Sequence, residues 1–458
     1  DDGNGLRAVY VFVTGPPDRR VELEVPLESD DRAIPSLARL SFSASRFERE
    51  MHDLFGIAPL GHPFLRPLVL HQHWPAGWHP MLHDAGTAPA MRTDAEPFPF
   101  VAVEGPGVYE IPVGPVHAGL IEPGHFRFSV VGETILKMKA RLWFVHRGIE
   151  KLFEGRDPTD GVVLAERISG DTSVGHNLAY CLAVEEASGV ELSDESARLR
   201  ALLLELERIY NHIADVGALY NDVGYGIAAA RALTLRERLL RLNAEVTGHR
   251  LLRNAIRPGA TSLCRLPTRA ELAEISARFE ELVDLATSNT VVMDRFRGTA
   301  VLSEPDATAI GTLGIVARGS GIAHDARVDH PFFDLGGKAQ VVTEDAGDVM
   351  ARFSVRVREV HASLGLVMML AESVTHLDTA AAAATFQGGS GLGIVEGWRG
   401  TIVHRVEIDP SGKLTRLKVV DPSFLNWPAL SVALSDTIVP DFPLANKSFN
   451  LSYAGNDL

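Results

Sequence analysis

From Ser193 onward the apolar residues fall three and four apart, at Leu199, Leu202, Leu203, Leu206, Ile209, Ile213 and Val216. That spacing puts them on one face of a helix, and a stripe this long must be buried against other helices. Thr234-x-x-Glu237 reads as a capping box opening a second helix, with Leu235, Leu239, Leu242 and Val246 on one side. Thr268-x-x-Glu271 opens a third in the same way, and residues 344–370 are expected to form a fourth. The centre of the chain is therefore a helix bundle. Period-two patterns flank it. Arg7–Val13 and Val21–Val25 sit either side of Gly15-Pro-Pro17 as a hairpin, 106–130 alternate strand and turn, and 394–420 form a terminal hairpin. The expected class is α+β: a small α/β domain over 1–75, an extended Pro-, Gly- and His-rich linker over 76–105, and a large helix-bundle domain over 106–458 flanked by short antiparallel sheets. The Pro- and aromatic-rich C-terminal stretch is expected to pack into the body as a tail.

Composition narrows the function classes. The 458 residues carry 59 acidic against 44 basic side chains, a formal charge of −15, so global charge gives nucleic-acid binding no support. The two cysteines, Cys181 and Cys264, form no Cys-x-x-Cys pair. A disulfide framework or a cysteine-held cluster within this chain is excluded. No run approaches the roughly 18 apolar residues of a membrane span, and no signal peptide is expected. The chain starts at Asp1 without Met, so preceding residues are expected. A membrane role would act through partners.

Three segments gather polar chemistry. Gly114–Phe128 crowds His117, Glu122 and His125 into a Gly/Pro-rich turn, suited to proton shuttling or simply a structural turn with satisfied histidines. Glu166–His176 precedes a helical Asn177–Glu185. Its Ser169, Asp171, Thr172 and Ser173 read either as an N-terminal cap or as the polar floor of a pocket. Asp421–Pro428 belongs to the packed tail. Arg231, Arg236, Arg238, Arg241, Arg250, Arg253 and Arg257 make a basic face, either a docking surface or a solvated face with carboxylate partners elsewhere. Gly388–Gly393 lacks the spacing and the following helix of a phosphate loop.

Together these segments resemble the large subunit of membrane-bound, energy-converting NiFe hydrogenases and the quinone-site subunit of respiratory complex I. Leu204-Glu-Leu-Glu-Arg-Ile-Tyr-Asn-His212, Ala317–Gly321 with Asp325-x-Arg327, and Glu396-Gly-Trp-Arg-Gly400 carry the resemblance. Phe47–Ile57 with Gly61-His-Pro63 is similar to the small complex I subunit that is fused to the large one in some members. Those hydrogenases hold nickel and iron with four thiolates from two Cys-x-x-Cys pairs. Here the pairs fall on Ser169 and Thr172, and on Ser423 and Asn426. Neutral hard oxygens are poor ligands for such a centre, so no NiFe centre and no hydrogen turnover are expected.

The resemblance implies a pocket lined by Ser169, Gly170, Thr172, Ser423 and Asn426 that receives quinone or another small acceptor. His117, His125, Asp171, His176, Arg167 and Asp421 are the expected chemical residues. The tyrosine that complex I offers the quinone falls on Gly170. Glu122 falls where hydrogenases place a carboxylate near magnesium. The implied partners are an iron–sulfur small subunit, which holds the cluster, a ferredoxin-like iron–sulfur subunit, and antiporter-like and quinone-module membrane subunits. The chain would lie on the cytoplasmic side of the cell membrane, and formate, ferredoxin or reduced nicotinamide would be the upstream donor. Two other readings stand beside this one: a scaffold without chemistry linking the peripheral and membrane arms, and a pocket for a different metal at His117, His125, His176 and Glu122.

Overall fold

The computed structural model describes residues 5–28, 31–117, 121–379 and 386–458. Strands β1 (Leu6–Thr14) and β2 (Arg19–Leu27) pair as the expected antiparallel hairpin, Tyr10 opposite Leu23. Short parallel strands β3 (Ala33–Pro35) and β4 (Ala58–Leu60) flank α1 (Phe42–Phe55). Helix α1 is opened by the Ser41 hydroxyl, which accepts from Ala44 N–H, and closed by Gly56 at φ 72°, a conformation that favours glycine. Residues 76–105 hold no helix or strand, yet Met81 and Leu82 are buried. The approach to this stretch is clamped from both sides. The Asp53 carboxylate accepts from the N–H groups of Leu68 (2.7 Å), Val69 (2.8 Å) and Leu70 (3.3 Å), while the Arg141 guanidinium donates to the Leu68 and Leu70 carbonyls.

Next come β5 (Val108–Val113), β6 (His125–Val131) and β7 (Thr134–Arg141), an antiparallel sheet in that order. The helical body follows with α2 (Ile149–Leu152), α3 (Pro158–Ala165), α4 (Ser173–Ser188), α5 (Asp194–Asp222) and α6 (Gly226–Thr247). After the short strands β8 (Ile256–Arg257) and β9 (Ala260–Ser262) comes α7 (Arg269–Thr287). Four short helices, α8 (Thr290–Phe296), α9 (Glu304–Ile310), α10 (Gly314–Arg318) and α11 (Ala326–Asp329), lead to the long α12 (Val349–Ser373). Strand β10 (Asp378–Thr379) pairs with β9. The chain ends with a three-stranded sheet, β11 (Gly389–Glu396), β12 (Thr401–Ile408) and β13 (Leu414–Val420), and with α13 (Pro422–Ala433), α14 (Phe442–Phe449) and α15 (Tyr453–Asp457). The main core lies where α4–α7 and α12 meet β11–β13, and a second core joins β5–β7 to α13 and α14. The C-terminal segment is buried, as expected of a packed tail.

The architecture is the expected α+β arrangement, with local corrections. Ser193 caps α5, and Thr268 with Glu271 forms a true capping box on α7. Thr234, in contrast, lies inside α6 and donates back to the Ala230 carbonyl (2.9 Å). The alanines at 228–230 and 232, strong helix formers, carry that helix upstream to Gly226. Helix α12 starts at Val349, not 344, because Gly347 is at φ 65° and Asp348 supplies the cap. Helix α4 begins four residues before the expected Asn177. The terminal hairpin gains β11 as a third strand.

Candidate functional site

Three loops converge at the start of α4. They are residues 169–172 themselves, the β11–β12 turn with Trp398 and Arg399, and the start of α13 with the Ser452 backbone beside it. The Ser169 hydroxyl donates to Asp171 Oδ1 (3.1 Å) and shares a bond with Ser452 Oγ (2.9 Å). The Thr172 hydroxyl donates to Asp171 Oδ1 (3.0 Å) and receives Trp398 Nε1 (3.1 Å). Arg399 grips Asp171 with both prongs, each at 2.7 Å. Burial pushes the Asp171 carboxyl up, but the Arg399 charge and the hydrogen bonds of Arg399, Thr172 and Ser169 outweigh it and bring it down to about 2. Ser423 Oγ accepts the Ser452 N–H (2.9 Å), so Ser452 joins the hydroxyls of Ser169 and Ser423. Asn426 closes on a different neighbour, accepting from Leu313 N–H (2.8 Å) and donating to its carbonyl (3.0 Å).

Behind this cluster runs a buried chain. His176 Nε2 lies 3.0 Å from Asp421 Oδ2, and His176 Nδ1 lies 3.1 Å from His404 Nε2. Burial raises the Asp421 carboxyl, yet the His176 hydrogen bond and charge bring it below its ordinary value, and the Ser423 N–H donates to its other oxygen (2.7 Å). Burial, then His176, holds His404 well below the usual imidazole range. His176 thus bridges Asp421 and His404, one ring nitrogen facing each. Thr172 makes no side-chain cap on α4. Glu207 of α5 does so instead, accepting from Val174 N–H (2.7 Å) and Gly175 N–H (2.9 Å). Burial outweighs those two bonds and Asp171 adds to it, so the Glu207 carboxyl is pushed up to about 8.

The structure does not bring every expected residue here. His125 bonds the Gly114 carbonyl of its own turn (3.0 Å), and the His117 ring lies 6.3 Å from Phe126. Glu122 accepts the Ala454 N–H (3.1 Å). Residues 118–120 of that turn lie outside the described residues. His117, His125 and Glu122 thus answer to the β5–β6 turn and Ala454, whereas His176 is committed to Asp421 and His404. The four do not form one metal site, and among the described residues no group of three His, Cys, Asp or Glu is placed to hold a metal ion. Arg167 is exposed and donates to the Val163 carbonyl (2.7 Å). The buried guanidinium at the centre belongs to Arg399, paired with Asp171. Sequence reasoning passed over Arg399, Trp398, Glu207, His404 and Ser452, although the first three stood inside motifs quoted for the family resemblance. A NiFe centre does not fit the residues present. The Cys181 thiol is buried against Asn177 Oδ1 (3.5 Å), Cys264 is exposed, and the oxygens at Ser169, Thr172, Ser423 and Asn426 all bond to protein groups.

Ser452→Ala is expected to cost about 1–2 kcal/mol, because it removes the hydroxyl that bonds Ser169 and also caps α15 through Gly455 N–H (2.9 Å). A fall in melting temperature relative to Ser435→Ala, an exposed surface control, checks this.

The small N-terminal unit and the helical body that follows it each match part of a known family, the hydrogenase-like and complex I-like large subunits. Family models agree: Respiratory-chain NADH dehydrogenase, 30 Kd subunit, matches residues 1–90, the 49 Kd subunit matches 222–387, and Nickel-dependent hydrogenase matches 147–219. The chain is 31% identical to Hydrogenase-4 component G of Escherichia coli (strain K12), covering 99% of this chain and 81% of that protein. It is 30% identical to Formate hydrogenlyase subunit 5 of the same organism, covering 99% and 82%. It is 29% identical to the NADH-quinone oxidoreductase C/D protein of Phocaeicola vulgatus (strain ATCC 8482), covering 74% and 70%. The chain therefore belongs to this family of oxidoreductase large subunits, whose members are parts of membrane-bound hydrogenase and complex I-like assemblies. A solved chain from the membrane-bound sulfane sulfur reductase, an archaeal respiratory membrane complex, shares the fold at a TM-score of 0.71 and 23% identity, over 77% of this chain and 99% of that one.

Proposed function

We propose that the chain is a redox subunit of a membrane-bound respiratory assembly that couples electron transfer to ion translocation without a NiFe centre. In this reading an iron–sulfur small subunit delivers electrons, with a ferredoxin-like subunit upstream, to quinone or another small acceptor at the Asp171–Arg399 face. Antiporter-like and quinone-module membrane subunits hold the chain on the cytoplasmic side of the membrane. No helix among the described residues is long and apolar enough to cross a membrane, which suits attachment through partners. A magnesium ion at Glu122 belongs to the same proposal.

The observation that carries the reading is the Asp171–Arg399 pair. Its carboxylate accepts from Ser169 and Thr172, two positions that the resemblance gives to metal-ligating cysteines, its side chain is 38% exposed, and Gly170 beside it opens on free space. A fixed, charged donor–acceptor pair at a mouth can orient a polar headgroup without reorganising. Asp171→Asn is expected to lower electron flux through the purified assembly about tenfold, equivalent to about 1.4 kcal/mol, with every partner still assembled. Nickel near one atom per chain would sink the proposal. Unchanged flux would favour the scaffold reading, which has its own support. The Ser169–Ser452–Ser423 bonds and the Asn426–Leu313 clamp already engage the oxygens that would line an interior pocket.

A further inference from the structure

Five of the basic residues between 231 and 257 differ in whether a carboxylate answers them. Arg241 and Arg250 pair with Glu237, at 2.9 and 2.6 Å, and Arg238 pairs with Glu274. Arg253 and Arg257 have no carboxylate within ion-pair distance among the described residues. Arg253 instead donates to Ser173 Oγ (3.1 Å), at the first residue of α4. On the other flank Arg147 donates to the carbonyls of Arg167 (3.1 Å) and Ile168 (2.7 Å). The backbone from 167 to 173 is thus bracketed by Arg147, Arg167 and Arg253. Arg147 and Arg167 are exposed and Arg253 is half-buried, which leaves guanidinium N–H groups open to solvent. Between them Gly170 is exposed, and a side chain there would meet nothing within 4 Å.

Little negative charge answers this rim. Glu166 is buried, one oxygen accepts the Asn254 N–H (2.6 Å), and the other lies 3.8 Å from Arg167. Its carboxyl is raised by burial and drawn back by Arg167, Arg253 and Arg257, so those guanidiniums share its field. The one carboxylate within the 167–173 segment, Asp171, is paired with Arg399. Arg147, Arg167 and Arg253 against Glu166 leave a local excess of positive charge on a chain of net charge −15. Same-sign charge gathered beside a low-dielectric wall concentrates counter-ions, and guanidinium forks match oxyanions in geometry.

We propose that this rim binds a small divalent anion over Gly170. If the acceptor enters at the Asp171–Arg399 face, as the functional reading holds, the acceptor is then itself an anion and not a neutral quinone. The site takes an oxyanion of sulfate size, or an acceptor carrying like charge, and its affinity falls as ionic strength rises because the guanidiniums are solvent-exposed.

The test is calorimetric titration of the purified full chain with sodium sulfate, ionic strength being held constant with sodium chloride. One saturable site is expected. Arg253→Gln and Arg167→Gln should each weaken it at least tenfold, while Arg241→Gln, whose guanidinium is already paired with Glu237, should leave it unchanged. Circular dichroism confirms that the variants fold. No saturable binding by the natural chain, or equal weakening by Arg241→Gln, overturns the site. So does loss of a partner protein from the Arg253→Gln assembly when the natural chain ignores sulfate, because the rim then meets a protein carboxylate. The two readings fail separately. Unchanged flux in Asp171→Asn with sulfate still bound removes the acceptor and leaves the anion site, whereas reduced flux without sulfate binding does the reverse.

Discussion

Glu359→Ala is expected to lower the stability of the folded chain by about 3–5 kcal/mol, the cost of leaving buried charges without their partner. Glu359 of α12 is fully buried. It accepts from Arg318 Nε (2.9 Å) and His212 Nε2 (2.8 Å), with Arg208 Nη1 at 3.7 Å. The network continues through Arg318 to Glu396 (2.7 Å) and through Arg327 to Asp325 and Glu205. It also underpins the candidate site. Arg208 donates to the carbonyls of Glu396 (2.7 Å) and Gly397 (3.1 Å), and the His212 ring meets Trp398 edge-on at 6.1 Å. Trp398 in turn holds the Asp171 carbonyl (3.2 Å) and the Thr172 hydroxyl. Thermal melting of the variant should therefore show both a lower midpoint and, in the assembly, a weakened Asp171–Arg399 face.

The pH dependence has a definite sign. Burial pushes the Glu359 carboxyl up, but Arg318 first and His212 next hold it well below the ordinary carboxylate range. A depressed folded pKa gives stability that is fully present above the unfolded value, about 4.3, and lost as pH falls through the folded one. The gap in melting temperature between the natural chain and Glu359→Gln should hold steady from pH 7 to about pH 5 and shrink only in stronger acid. A gap that closes already near pH 6 would mean that Glu359 is not held as an anion.

How legible these features were in the sequence depended on whether their cause was local. Helices α5 and α7 were readable because cap and apolar stripe lie within a few residues of each other. Helix α6 was misread for the same reason: Thr234 and Glu237 have the spacing of a box, but helix-forming alanines upstream leave no end there to cap. Residues 76–105 were readable as irregular. The clamp leading into them was not, since Asp53 and Arg141 reach it from distant elements. At the candidate site the serine, threonine and aspartate positions could be placed, but the arginine that pairs with Asp171 could not. Arg167 stands next to them in sequence, whereas Arg399 is 228 positions from Asp171 and arrives only through the β11–β12 turn.

The same distinction governs the glycines of β11. Read alone, Gly388–Gly393 invited comparison with a phosphate loop, and its spacing and its lack of a following helix argued otherwise. The structure gives those glycines a packing purpose. A Cβ on Gly389, Gly391 or Gly393 would lie 2.3, 2.1 and 1.9 Å from the carbonyl oxygens of Ala187, Ala183 and Ala179. Alternate strand residues share a face, and alanines four apart share a face of α4, so helix and strand meet backbone to backbone along their length. Gly393→Ala is therefore expected to cost about 3 kcal/mol by overpacking, with no contribution from backbone strain because Gly393 is not left-handed. The obstructing atom is a main-chain oxygen, so shortening the neighbour by Ala179→Gly should not restore the melting temperature. Because α4 also carries Asp171 and Thr172 at its head, the variant should lose electron flux along with stability. A loss under about 1 kcal/mol, or rescue by Ala179→Gly, would show that side chains and not the α4 backbone set the distance between this helix and the sheet.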